Sequence, residues 1–238
     1  MKDVTRRDFV RGSVAAGAAV SAIAGPARAS DAASPEEKLR ILAISCSPRK
    51  GKTTAAALQV CLDAAKAVSP RIETELIELA GLKINGSVAA GVPLDAGERD
   101  DFPALVPKLK DPKVRGVIIG TPVYFGNMSS LCKAFLERCI VLYQPDYALK
   151  DKVAGVVAVG GSRNGGQEAT IQSVQMSLHC QEMIIVGNGR PSSRLGGTVW
   201  SGAEGGVLKD EYGMTTTKAL GRRVAEVALR LAGPSRPA

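Results

Sequence analysis

The chain has 238 residues, of which 45% are hydrophobic and 4% aromatic, and its formal net charge at pH 7 is +8. This length is sufficient for a globular α/β domain with a sizeable core. The basic residues are dispersed, without a basic run or interleaved aromatic residues, so the pattern argues against nucleic acid as a partner. Histidine occurs once, at His179, which excludes a metal site built from several histidines.

The first 29 residues are typical of a twin-arginine export signal. Residues 5–10 read Thr-Arg-Arg-Asp-Phe-Val, an apolar stretch of 11 residues covers 14–24, and Ala-Arg-Ala at 27–29 is a small-x-small cleavage site. The apolar stretch is too short to cross a bilayer, which takes about 20 residues. We therefore expect cleavage near Ala29, a linker over 30–37, a periplasmic protein and no stable membrane insertion after cleavage.

Removal of the signal changes the charge only modestly. Residues 1–29 carry five basic and two acidic side chains, so the net charge falls from +8 to +5. An anionic ligand requires only a few of the remaining basic residues.

From residue 39 onward, short apolar runs alternate with helical patterns. The predicted strands are 39–44, 72–79, 114–120, 153–160 and 183–186, and the main predicted helices are 53–68, 129–142, 168–180 and 215–232. This order predicts an α/β domain over 38–233, with a doubly wound five-stranded parallel sheet between two helical layers. Ligands of such sheets bind at the carboxyl ends of the strands, so the loops after strands one, three and four are the candidates.

The first loop, residues 45–54, reads SCSPRKGKTT and ends like a Walker A nucleotide loop. Cys46 replaces the first Walker glycine, and the apolar strands over 114–120 and 153–160 are followed by Thr121 and Gly161 rather than by an acidic residue that could hold magnesium. A strand end followed by a helix start is nevertheless an anion site. Hydroxyl groups and a guanidinium can grip a phosphate there. The candidate ligands are Ser45, Ser47, Arg49, Thr53 and Thr54.

The second loop, residues 121–128, reads TPVYFGNM and precedes a helix with Ser129 as its predicted N-cap. Aromatic rings, a glycine and an amide side chain suit a flat polar ring as ligand. The candidate ring contacts are Pro122, Val123, Tyr124, Phe125, Gly126 and Asn127. Tyr124 either stacks on the ring or packs against the protein, and the sequence favours neither alternative.

The third loop, residues 160–168, reads GGSRNGGQE. Its glycines permit positive φ angles and a close approach of backbone N–H groups to a ligand. The candidate contacts are Gly161, Ser162 and Arg163. The alternative is that the loop is only a flexible connection.

The first two loops resemble those of the NAD(P)H-dependent FMN reductase family, whose fold is flavodoxin-like. GTPVYFGNMSSLCKAFLER is similar to the family's G-S-P-V-Y-W-G-N-M-S-A segment, and SCSPRKGKTT to its S-x-S-P-R-x-x-[GS]-[NT]-[ST] loop. The similarity extends over residues 39–231. The resemblance implies FMN as cofactor, with its 5′-phosphate on the first loop and its ring on the other two. It requires no side chain as acid or base, so we predict no catalytic residue.

Relatives known as iron-sulfur flavoproteins carry a compact cysteine cluster in the region that corresponds to residues 81–93. This chain has no cysteine between Cys61 and Cys132. Because thiolates hold such clusters, we expect flavin alone and no metal. Cys61 and Cys139 lie on apolar faces of predicted helices, where we expect buried free thiols.

The resemblance implies an oxidoreductase in which NAD(P)H or another donor reduces FMN, and a quinone, a flavin or another small molecule accepts the electrons. The periplasm is not supplied with NAD(P)H as the cytoplasm is, which leaves the donor open. The alternative is a flavodoxin-like electron-transfer protein with a protein redox partner and no nicotinamide substrate. Family members commonly self-associate, so a homodimer or homotetramer is expected.

Overall fold

The computed structural model describes residues 37–143 and 145–233. The predicted signal peptide (1–29) and the predicted linker up to residue 36 lie outside the described residues. The strands are β1 (Leu39–Ser45), β2 (Ile72–Glu78), β3 (Val114–Tyr124), β4 (Asn127–Met128), β5 (Val153–Gly160), β6 (Ile184–Ile185) and β7 (Gly197–Trp200). The α-helices are α1 (Thr53–Lys66), α2 (Val106–Lys110), α3 (Ser130–Arg138), α4 (Ile140–Tyr143), α5 (Gln167–His179) and α6 (Glu211–Ala232). None of the described helices is long and apolar enough to cross a membrane.

The sheet has five positions in the order β2-β1-β3-β5-β6, and neighbouring strands along this path are parallel. β7 also runs parallel to β5. It pairs with residues 157–160 of β5, whereas β6 pairs with residues 153–154, so β6 and β7 share the fifth position. β4 forms a short antiparallel pair with the end of β3. The predicted doubly wound, flavodoxin-like parallel sheet is confirmed.

Both faces of the sheet are covered by helices. Along β1, Leu42 and Ile44 pack with the apolar residues of α2, α3 and α5. Ile41 and Ala43 pack with those of α1 and α6 on the opposite face. Because successive strand residues point to opposite faces, this alternation produces the predicted three-layer α/β/α arrangement.

Strand β3 continues four residues beyond its predicted end at Gly120. Pro122 lacks a backbone N–H, which is why residues 121–124 suggested a loop. The pairing with β1 stops at Gly120, whereas the pairing with β5 continues to Pro122, opposite Val159. At Pro122, β3 therefore pairs with β5 alone, and proline is tolerated where a strand has a neighbour on one side only.

Strand β7 was not predicted from the sequence. Gly196 and Gly197 precede its short apolar part, and glycine is uncommon in strands. Gly196 lies so close to β5 that a Cβ atom there would be 2.3 Å from the Val156 carbonyl oxygen. A Cβ atom at Gly197 would be 3.1 Å from Val157 and from Thr217 of α6. These glycines permit the close backbone approach that completes the edge of the sheet.

The predicted helix over 129–142 is two helices, α3 and α4. The carbonyl of Cys139 accepts hydrogen bonds from Leu142 N–H at 2.9 Å and from the Gln181 side chain at 3.2 Å. The first bond closes a tighter turn than an α-helical one, so the helix is interrupted there. Ser129 is the N-cap of α3 as predicted, and it accepts a hydrogen bond from Cys132 N–H at 3.1 Å.

Helices α1 and α6 pack in close contact at Gly221. A Cβ atom on this residue would lie 1.9 Å from the backbone carbonyl oxygen of Cys61. Real Cβ atoms do not approach this closely, so the packing of the two helices requires glycine at this position.

Gly221→Ala should therefore destabilise the protein, although alanine is ordinarily the better helix former. We expect a loss of about 1–3 kcal/mol in the free energy of unfolding, because α6 must move away from α1. Urea unfolding followed by circular dichroism measures it, with Lys218→Ala on an exposed position of α6 as the control. Equal stability of the two variants would contradict the close packing.

Candidate active site

The three predicted loops meet at one edge of the sheet. Ser45 at the end of β1 lies beside Gly120 of β3, and Thr121 lies beside Ala158 of β5. The third loop contacts the second, since a Cβ atom at Gly166 would be 3.1 Å from the Cα atom of Gly126. The carboxyl ends of β1, β3 and β5 thus form one continuous site, as the parallel sheet predicts.

Short-range hydrogen bonds shape the first loop. The Ser47 hydroxyl accepts a bond from Arg49 N–H at 3.2 Å and donates one to the Arg49 carbonyl at 3.3 Å. Gly51 has a φ angle of +64°, and its N–H donates to the Glu78 carboxylate at 2.7 Å. Glu78 was not found by sequence analysis, because it ends β2, which carries none of the three predicted loops.

Two hydroxyl groups of the first loop lack hydrogen-bond partners. Ser45 Oγ and Thr54 Oγ1 are buried and have none among the described residues. Lys52, the N-cap of α1, provides no side-chain cap, and the first turn contains no acidic residue. Buried polar groups are normally satisfied, and a helix N-terminus attracts an anion. The loop therefore fits a phosphate group.

The remaining two candidate phosphate ligands lie at the surface of the same loop. Arg49 is exposed and forms no ion pair with any residue between 37 and 233 that the structure describes. Thr53 is half-buried and begins α1. Arg49 is thus available to a ligand, and its planar guanidinium suits phosphate oxygens.

The second loop is a β-hairpin. Tyr124 pairs with Asn127, and the two turn residues, Phe125 and Gly126, have φ angles of 49° and 75°. Positive φ at both positions is the geometry of a type I′ turn, in which asparagine is far more common than phenylalanine. The Phe125 side chain is fully exposed.

The hairpin divides the six predicted ring contacts into two groups. Pro122 is buried and Val123 half-buried, and both lie within β3. The other four form the exposed tip: Tyr124, Phe125, Gly126 and Asn127. The tip, rather than the strand, carries the aromatic surface that can face a ligand.

Ser129 joins the first loop to the second. Its hydroxyl donates to the Cys46 carbonyl at 2.7 Å while it accepts from Cys132 N–H. Its own N–H donates to the Thr121 hydroxyl at 3.1 Å. This buried serine, which is 2% exposed, therefore helps to fix the distance between the two loops, together with the bond from Cys46 N–H to the Gly120 carbonyl at 2.8 Å.

The third loop is held by the side-chain amide of Gln167. Its Oε1 accepts from Gly165 N–H at 2.8 Å, and its Nε2 donates to the Ser162 carbonyl at 2.6 Å. Gly160 leaves room for this amide, since a Cβ atom there would be 2.5 Å from Nε2. The loop is thus ordered by its own hydrogen bonds, and Gln167 is a positioning residue that sequence analysis missed.

Arg163 lies between two aromatic rings and a buried carboxylate. Its guanidinium is 5.7 Å from the Trp200 ring centre and 5.6 Å from that of Tyr212, and it forms an ion pair with Asp210. Asp210 also accepts from Trp200 N–H at 2.7 Å and caps α6 through Gly213 N–H at 2.9 Å.

Arg163 Nη1 is buried without a partner among the described residues. Gly161 and Ser162 are exposed beside it.

The cysteines are free thiols, and all but Cys180 are buried. Burial of Cys61 and Cys139 is confirmed. Burial raises the pKa of Cys139 to about 12, and burial together with a hydrogen bond to Cys132 raises that of Cys46 well above its usual value. These thiols are therefore protonated at neutral pH.

Among residues 37–143 and 145–233, no cluster of three or more His, Cys, Asp or Glu side chains is arranged to hold a metal.

Residues 39–195 match the model of a family described as NADPH-dependent FMN reductase. The chain belongs to this family. Membership establishes FMN as the cofactor and the protein as an FMN-dependent NAD(P)H oxidoreductase. All three predicted loops lie within the matched region.

Iron-sulfur flavoproteins are among the relatives of this chain. One from Methanocaldococcus jannaschii is 36% identical over 192 residues, which cover 79% of this chain and 97% of that protein. One from Methanosarcina thermophila is 34% identical, with coverage of 79% and 95%. A solved structure of an NADH:FMN oxidoreductase in its apo form has a TM-score of 0.58 at 22% identity and covers 84% of this chain and 92% of its own. That likeness supports the fold.

The segment over residues 81–101 has its own anchor in this family member. Arg138 is buried and forms two hydrogen bonds with the Asp100 carboxylate, at 2.9 and 2.7 Å. It also donates to the Asn85 carbonyl at 3.2 Å and lies 4.8 Å from the Phe102 ring centre. Hydrogen bonds from Arg138 lower the pKa of Asp100, which keeps the pair ionised. The expectation that the protein carries flavin without a cluster stays a prediction, which rests on the missing cysteines.

Ser129→Ala should weaken both the fold and the site. Loss of the cap and of the buried bond to Cys46 is expected to cost about 1–2 kcal/mol in the free energy of unfolding. FMN should also dissociate more readily, because the first and second loops lose the hydrogen bond that Ser129 makes between them. Ser130→Ala, at the exposed neighbouring position, is the control for urea unfolding and for fluorescence titration with FMN. Identical behaviour of the two variants would refute the role of Ser129.

Phe125→Asn should have opposite effects on stability and on binding. Asparagine tolerates the positive φ angle of this turn position, so the flavin-free protein should gain about 1 kcal/mol. If the Phe125 ring borders the flavin, the FMN dissociation constant should rise. Chemical denaturation and flavin titration measure the two effects. A variant that is more stable and binds FMN as the wild type does would remove Phe125 from the ring site.

Proposed function

We propose that the protein is exported in its folded, FMN-bound form, and that its reduced flavin passes electrons to a small acceptor such as a quinone or a free flavin. One combination of features gives this proposal its main support. The unpartnered hydroxyls of Ser45 and Thr54, the uncapped N-terminus of α1 and the exposed hairpin tip occur together at the edge where β1, β3 and β5 end. An anion and an attached aromatic ring fit this combination.

The phosphate of FMN is assigned to the first loop. The backbone N–H groups at the start of α1 and the side chains of Ser47, Arg49, Thr53 and Thr54 would hold it. The flavin ring is assigned to the hairpin tip of the second loop and to residues 161–163 of the third loop. When bound, FMN supplies the redox chemistry, because its ring accepts a hydride and passes the electrons on.

The residues of the protein serve mainly to bind and orient the cofactor. The thiols of Cys46 and Cys139 are protonated at neutral pH, and His179 is the last residue of α5, at the opposite end of that helix from the third loop. Ser129 and Gln167 fix the positions of the loops to which the ring is assigned. We therefore propose no residue of the protein as an acid or a base in the reaction.

Export is proposed from the twin-arginine pattern in residues 5–10. Twin-arginine export carries proteins that are already folded, so the protein would acquire FMN in the cytoplasm before it is exported. In the periplasm the donor would then be NAD(P)H or a different reductant. We also propose that the protein forms a homodimer or a homotetramer.

A visible spectrum of the purified protein tests the proposal. Flavin absorption that bleaches under anaerobic NADH or NADPH, and returns when a quinone is added, is the expected result. A yellow protein that neither nicotinamide reduces would support an electron carrier with a protein partner. Protein that is colourless and does not take up FMN would overturn the assignment. Detection of the cleaved N-terminus in a periplasmic fraction tests export.

Arg49→Ala should raise the dissociation constant of FMN at least about tenfold, because a charge-assisted contact with the phosphate is lost. The melting temperature of the flavin-free protein should not change, since Arg49 is exposed. Lys50→Ala, at the next exposed position, is the control. Riboflavin, which lacks the phosphate, should bind the Arg49 variant and the wild type equally. An equal loss of riboflavin affinity would contradict the phosphate role.

A further inference from the structure

A cleft of about 540 Å³ lies beside the third loop, on the side of β7. The start of α5 forms one wall, and Thr198 of β7 and Tyr212 of α6 form another. Two guanidinium groups line it, from Arg163 and Arg194. No residue of the first loop lines the cleft, so it is separate from the predicted phosphate site of FMN.

Arg163 is only partly satisfied in this cleft. Asp210 pairs with one nitrogen of its guanidinium, whereas Nη1 is buried without a partner among the described residues. Trp200 and Tyr212 flank the group and hold its plane. The rest of the side chain is open, with 36% of its surface exposed, so its charge can attract an anion from the cleft.

Arg194 is placed at the rim by its own contacts. The buried Asn188 side chain accepts from Arg194 N–H at 2.7 Å, and the Arg194 carbonyl accepts from Asn188 N–H at 3.1 Å. The guanidinium donates to the Tyr212 hydroxyl at 3.4 Å. A hydrogen bond with Tyr212 raises the pKa of Arg194, so the group is always charged.

Two arginines and the start of α5 face the cleft. Asp210 neutralises Arg163 from outside the lining, so the charge of the cleft is set by Arg194, by Glu168 and by the helix terminus. The N-terminus of α5 adds partial positive charge, and its N-cap Gly166 provides no side-chain cap. Glu168 is exposed at the mouth of the cleft, where its effect is screened by solvent.

We infer that this cleft binds the oxyanion group of the redox substrate, namely a phosphate of a nicotinamide dinucleotide or the sulfonate or carboxylate of an acceptor. This inference rests on the proposed function, because the reactive ring of the substrate must reach the flavin. The third loop provides the connection: residues 161–163 are assigned to the flavin ring, and Arg163 also lines the cleft. A substrate anchored here would place its ring beside the same loop.

Arg194→Gln tests the inference without altering the assigned FMN residues. The Michaelis constants of the holoprotein are measured with two pairs of substrates. NADPH is compared with 1-benzyl-1,4-dihydronicotinamide, which has no phosphate, and 1,4-naphthoquinone-2-sulfonate with the uncharged menadione. Arg222→Gln is the control, since this arginine is exposed on α6 and does not line the cleft.

We expect Arg194→Gln to raise KM about tenfold for the charged member of at least one pair, with the uncharged member and the FMN dissociation constant unchanged. A rise for NADPH identifies the donor phosphate as the ligand, and a rise for the sulfonate identifies the acceptor. Unchanged KM for both charged substrates, or an equal rise for uncharged ones, overturns the inference while leaving the proposed function intact. A wild-type protein that fails to hold FMN overturns both.

Discussion

The arrangement of the site depends on how its first two loops are joined, and a buried hydroxyl group provides one of the connections. Ser129 caps α3 and also donates to the Cys46 carbonyl at 2.7 Å, so it joins the first loop to the helix that follows the second. Its N–H adds a third bond, to the Thr121 hydroxyl. A cofactor with a phosphate at one end and a ring at the other needs these two loops at a constant separation. The serine provides it in a part of the core that excludes water.

Buried polar side chains also hold the third loop, in this case those of Gln167 and Asp210. The Gln167 amide replaces the backbone partners that a glycine-rich loop lacks, and Asp210 connects the Arg163 guanidinium to the start of α6 and to Trp200. In both places a single buried polar side chain satisfies several backbone groups. Such groups are costly to leave unpaired, so they hold a loop in one conformation more firmly than apolar contacts would.

The relationship with iron-sulfur flavoproteins has a structural counterpart in residues 81–101. In this chain the segment contains no cysteine, and it is fixed on α3 by the buried pair of Arg138 and Asp100. The Arg138 bond to the Asn85 carbonyl extends this anchor along the segment. An ion pair with two parallel hydrogen bonds can thus position a long connection without a metal.

The sequence by itself determined the sheet, its order of elements and the loops that form the site, because alternating apolar runs and turn residues are local signals. It also identified Ser129 as a helix cap. Only the tertiary structure decided that Ser129 reaches Cys46, that Gln167 and Glu78 hold the loops, and that β3 continues into a hairpin beyond Pro122. It likewise revealed β7, whose glycines weaken a local strand signal but permit the contact with β5. These features arise from contacts between residues far apart in the chain, and local patterns carry no information about such contacts.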